Sequence, residues 1–192
     1  ELRKYPPEMI YGRNYIAWAL TKLGRHSEAY KLLDSIQTDV AGTSRHLQFH
    51  ANYLSAVILF EEGKNESALK QFNKALDILP PNHEPNIFYS ICLLKCDQLA
   101  KATREFRRLV YWPGNGSTYL FGDVIGAIAY WPVQTVRSHY WLGIIYERQG
   151  KKEEAIKEYR KFLNTWKDAD FESPEINDAN ERVSKLSMLI EN

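Results

Sequence analysis

The chain has 192 residues, 44% hydrophobic and 26% charged, which is enough apolar material for a continuous core and too much for a disordered chain. Lys and Arg number 25 against 24 Asp and Glu, so the net charge of +1 supplies no overall field that would gather nucleic acid or an anionic membrane. No apolar stretch reaches the roughly 18 to 20 residues of a membrane span, and Ile125 to Trp131 is much too short.

The segment Glu1 to Pro7 is polar, holds two prolines and has neither an initiating Met nor the apolar core of a signal peptide. It reads as the start of a soluble fragment cut from a longer protein, with a possible attached upstream domain and a cytoplasmic or periplasmic setting.

Over residues 10–43 the run "LGRHSEAYKLL" carries Gly24 and, five residues on, Ala29. The glycine ends one amphipathic run, a polar turn follows, and the alanine sits inside the next run, which predicts a helical hairpin with a close crossing at the alanine. A polar linker, "QTDVAGTSRH", separates it from a second hairpin over residues 49–82, where "EGKNESALKQF" repeats the pattern at Gly63 and Ala68.

In the third hairpin, over residues 83–112, "LLKCDQLAKATREF" has Asp97 in the glycine position and Ala102 in the alanine position. Ala68 and Ala102 are 34 residues apart, so these two units abut. Cys92 and Cys96 fall four apart on one helix of this unit; that spacing rarely suits a disulfide, and two sulfurs make an incomplete zinc site, so both read as structural thiols.

Ala102 and Ala155 are 53 residues apart, leaving an insertion at residues 113–132 before the fourth hairpin, residues 133–167, in which "QGKKEEAIKEY" supplies Gly150 and Ala155. The insertion combines glycines with Tyr119, Leu120, Phe121, Tyr130 and Trp131. It reads either as a short helix that fills a groove of the protein or as a lengthened helix and loop packed as core. Ser173-Pro174 then has the form of a helix start, and Ile176, Ala179, Val183, Leu186 and Ile190 make an apolar stripe, so residues 174–191 read as a capping helix.

The last unit, "HYWLGIIYERQGKKEEAIKEYRKFL", places Leu142, Gly143, Tyr146, Gly150, Ala155, Tyr159 and Phe162 as large, small, large, turn, small, large and packing residues. The second places Ala56, Gly63, Ala68, Phe72, Ala75, Leu76 and Pro80 in the same register. On these residues and the 34-residue step the chain resembles the tetratricopeptide repeat family. The resemblance implies an all-α, right-handed solenoid of about four helical hairpins with a C-terminal capping helix, in one domain spanning residues 1–192. The tail from Trp166 to Leu186 is similar to the ends of such regions in bacterial signalling proteins. It raises a second reading, a regulatory or sensor module of a kinase, cyclase or transcription regulator.

Catalytic and metal chemistry find no support. His46 and His50 are four apart without a third ligand, Asp168, Asp170 and Glu172 lack the glycine and distant glutamate of a calcium loop, and Gly114 and Gly116 lack the rest of a phosphate loop. No nucleophile and base fall into a recognisable arrangement. We expect no enzyme activity and no cofactor.

The family resemblance implies that the first helix of each hairpin lines a concave groove. Its register puts Tyr11, Asn14, Trp18 and Thr21 there from the first hairpin, and His50, Tyr53, Val57 and Phe60 from the second. Glu84, Ile87, Ile91 and Leu94 follow from the third, and Arg137, Tyr140, Ile144 and Glu147 from the fourth. Such a face is aromatic and apolar, and its ligand would be a peptide or helix of a protein partner. Capture of a C-terminal carboxylate is not expected, since only Asn14 suits it. Arg104, Arg107 and Arg108 form a basic cluster that neighbouring repeats do not continue, so nucleic acid is not expected as a partner.

Overall fold

The computed structural model describes residues 10–78, 87–111, 124–168 and 173–191, with the side chains of residues 10, 11, 46, 124–132 and 191 outside the description. These residues form α1 (Ile10–Lys22), α2 (His26–Val40), α3 (Arg45–Glu61), α4 (Asn65–Leu76), α5 (Ile87–Lys95), α6 (Leu99–Tyr111), α7 (Val124–Arg148), α8 (Lys152–Thr165) and α9 (Pro174–Glu191). The fold is all-α and built of helical hairpins; no strand occurs among the described residues.

Each hairpin turns on the same backbone device. Gly24, Gly63 and Gly150 have φ of 72°, 76° and 73°, and Asp97 takes the same left-handed conformation at 56°. Two crossed backbone bonds close each turn: at the third, the Asp97 N–H donates to Leu94 O and the Gln98 N–H to Leu93 O. This arrangement satisfies carbonyls that the helix end would otherwise leave bare, and it favours glycine because a Cβ is strained there. Asp97 is tolerated because a short polar side chain is among the few that visit this region.

The alanine five residues after each turn is fully buried in all four hairpins, at Ala29, Ala68, Ala102 and Ala155. With no side chain beyond Cβ, each allows the two helices of its hairpin to approach closely.

The chain divides into two compact units, Glu1–Glu84 with Gly114–Ile128, and Pro85–Pro113 with Ala129–Asn192. In the first, α1 packs on α2 and α3, and α3 on α4. Its core gathers Ala17, Ala29, Leu33, Ile36, Val40, Ala51, Leu54 and Ile58. In the second, α5 packs on α6 and α8 on α9. Gly143 of α7 lies so close to α8 that a Cβ there would sit 2.5 Å from the Tyr159 ring.

Residues 112–123, most of the expected insertion, lie outside the described residues, and with them the question of a groove-filling helix. The backbone of residues 124–132 is the beginning of α7, continuous with the helix that carries Gly143. The stripe of α9 is buried at Ala179 and Leu186, half-buried at Ile176 and Val183, and exposed at Ile190.

Candidate partner-binding surface

In the first unit, the residues expected on an open face separate into two groups. Asn14, Thr21, His50, Tyr53 and Val57 are buried. The Tyr53 ring packs between Phe49, 5.4 Å away, and Phe72 of α4, 4.9 Å away, and so belongs to the interior of the α3–α4 hairpin. The Asn14 amide is buried with neither its oxygen nor its nitrogen hydrogen-bonded.

Trp18 and Phe60 are half-buried instead. Trp18 lies on α1 and donates its indole N–H to Glu61 Oε1 of α3 at 3.1 Å, while Lys22 pairs with the other oxygen at 2.8 Å. One carboxylate therefore fixes the orientation of the indole beside the adjacent helix. The side chain of Tyr11 lies outside the described residues.

In the second unit, Ile87, Ile91 and Leu94 of α5 are buried; Glu84 falls outside the described residues. The expected face of α7 is covered by α9. Arg137 donates from Nε to Glu175 at 3.1 Å, the Tyr140 hydroxyl donates to Asp178 at 2.8 Å, and Arg182 spans Asp178 at 2.6 Å and Glu147 at 2.8 Å. Tyr159 of α8 donates to the same Glu147 at 3.0 Å. The pairs ascend together along both helices, so α7 and α9 run parallel with matched polar groups. Ile144 is half-buried in this row.

Tyr140 is thus buried against the chain's own last helix, and Arg137 is tied to that helix with part of its side chain still exposed. The physical reason is rotational: residues 137, 140, 144 and 147 recur at helical spacing just beside the core stripe, a position equally suited to meeting a ligand or the next helix. The complementary series Glu175, Asp178 and Arg182 at spacings of three and four was the signal in the sequence for the second outcome.

The electrostatics follow the contacts. Burial pushes the Tyr140 hydroxyl up strongly, and its bond to Asp178 adds to this. Asp178 is held below the usual carboxylate range because its bonds from Arg182 and Tyr140 outweigh its own burial. In the first unit, burial and the bond to Glu62 push the Tyr30 hydroxyl up to about 12.

A third group joins α7 to α8. His139 Nδ1 lies 2.6 Å from Glu158 Oε2 and Lys161 donates to Glu158 Oε1 at 2.7 Å. Burial works to raise the Glu158 pKa, but the bonds from His139 and Lys161 prevail and hold it below the ordinary 4.5. A carboxyl lowered on folding contributes stability that is complete above its unfolded pKa and lost as pH falls through the folded one. Urea unfolding of the whole chain should therefore show stability falling as pH drops below 4.5. Glu158→Gln should flatten that part of the profile; an unaltered acid profile in the variant would remove Glu158 from the explanation.

No group of three or more His, Cys, Asp or Glu among the described residues could hold a metal ion, and no described helix is long and apolar enough to cross a membrane. Cys92 and Cys96 are unbridged.

Residues 49–82 and residues 136–164 each match the tetratricopeptide repeat family. Each segment contains one of the Gly-turn-Ala hairpins described above, α3–α4 and the C-terminal half of α7 with α8. No curated protein and no solved structure matches the chain. Tetratricopeptide repeats generally mediate protein–protein interactions and are typically non-catalytic.

Proposed function

We propose that the chain is a non-catalytic protein-interaction scaffold that takes a peptide or helix against an aromatic and apolar face of its first helices. The observation that supports this most directly is the pair Trp18 and Phe60. They come from the packed helices α1 and α3, and both retain part of their surface in solvent while their neighbours Asn14, His50 and Tyr53 are buried. Glu61 orients the indole. Aromatic side chains held in this way offer large contact area at little cost in conformational freedom, which is why they dominate binding surfaces.

Peptide display on the whole chain supplies the test. Peptides enriched on the wild-type protein should bind a Trp18→Ala/Phe60→Ala variant at least thirtyfold more weakly, about 2 kcal/mol. Its circular dichroism and melting should remain native-like. Equal binding of every enriched peptide to both proteins would move the ligand to another face.

A further inference from the structure

Charge is not spread evenly over this nearly neutral chain. Helix α6 holds Lys101, Arg104, Arg107 and Arg108 against the single acidic residue Glu105. That carboxylate is 3% exposed and turned inward, with Oε1 receiving the Arg104 Nε–H at 3.2 Å and Oε2 an Arg108 Nη1–H at 2.6 Å. Solvent reaches the cations to different degrees: the Arg104 side chain remains 67% exposed and that of Arg108 26%, and Lys101 is exposed and makes no ion pair among the described residues.

Arg107 is steadied separately. It donates to the Tyr146 hydroxyl at 2.7 Å with its guanidinium 6.0 Å from the centre of that ring. The arginines, with Ala100, Thr103 and Tyr111, line a cleft of about 490 Å³, and Tyr111 is 73% exposed at its end. A buried carboxylate and a tyrosine thus hold the three arginines in place before anything binds, and pre-organised side chains lose less freedom on meeting an anion.

We propose that this face of α6 binds an acidic, extended segment of a partner protein, with carboxylates at alternate residues and an apolar side chain laid on Tyr111. Spacing argues for that occupant. At a rise of about 1.5 Å per residue, Lys101, Arg104 and Arg108 stand about 4.5 and 6 Å apart along the helix. Side chains on one face of an extended chain recur about every 6.7 Å, close to the step from Arg104 to Arg108, and the long, exposed Lys101 side chain can lean outward to cover the shorter step. Arginine forks pair well with carboxylates, and Arg104 and Arg108 each spend a single N–H on Glu105. A nucleic acid would call for a basic track longer than one helix, and the chain's net charge of +1 adds no wider attraction for it. The site uses residues of the second unit and does not depend on Trp18 or Phe60.

A fluorescein-labelled peptide alternating Glu and Ser and ending in Leu, titrated into the whole chain at low salt, is the probe. Saturable binding is expected, at least tenfold weaker in a Lys101→Gln/Arg104→Gln variant and retained in Trp18→Ala/Phe60→Ala. The last comparison separates this proposal from the preceding one. Because Arg104 also touches buried Glu105, a Lys101→Gln/Tyr111→Ala variant, altered only at exposed residues, should lose binding as well. The proposal is overturned by undiminished binding to both variants, by no saturation of the wild type below millimolar concentration, or by an oligothymidylate of equal charge binding as tightly as the peptide.

Discussion

Gly143→Ala is expected to destabilise the second unit by about 2 kcal/mol, and Gly143→Leu to prevent its folding. The new Cβ would lie 2.5, 2.6 and 2.8 Å from three carbons of the Tyr159 ring, distances at which something must move. Tyr159 has little room to yield: it is 0% exposed, and its hydroxyl is fixed on Glu147. Overpacking of this kind typically costs 1 to 3 kcal/mol, and more when the neighbour is rigid. Alanine recovers up to roughly 1 kcal/mol through its better helix propensity, which is why the expected net loss stays near 2.

Chemical denaturation followed by circular dichroism measures the loss. Tyr159→Leu in the same chain should recover part of it, because a smaller side chain opens the crossing. Strict additivity of the two substitutions would mean that the close approach of α7 and α8 is not the cause.

Tyr53→Ala should cost about 3 to 5 kcal/mol, the usual range for removing a large aromatic side chain from a packed interior. Its ring is 1% exposed and lies against Phe49 and Phe72, so truncation leaves a cavity at the centre of the α3–α4 hairpin. A denaturation midpoint close to wild type would show instead that the site collapses or that the ring is dispensable. The same reasoning rules out Tyr53→Ala as a probe of ligand binding, since a loss of binding would report a loss of fold. Trp18 and Phe60, with part of their surface outside, are the better residues for that purpose.

The sequence shows the hairpins with little ambiguity because their signals are local and chemically demanding. A left-handed turn needs glycine or a short polar residue, and a close crossing needs a small one; Gly24 and Ala29, Gly63 and Ala68, Asp97 and Ala102, and Gly150 and Ala155 all occupy such positions. The start of the last helix at Pro174 is likewise a local matter. The expected binding face was less legible. Asn14, His50, Tyr53, Ile87 and Ile91 have the spacing of a helix face, but a face beside the core stripe can point at solvent, at a ligand or at another helix.

What the sequence determined by itself, then, is the hairpin: where each helix stops, where each pair crosses, and how the motif recurs. Only the tertiary structure decided which side chains stay accessible. It tied Arg137 and Tyr140 to α9 through Glu175 and Asp178, burying Tyr140, and left Trp18 and Phe60 partly outside. It also turned Glu105 inward and left Lys101 and much of Arg104 in solvent. The reason is that a turn is specified by backbone conformation within a few residues, whereas exposure is set by whatever a distant part of the chain lays on a surface. No window of local sequence contains that information.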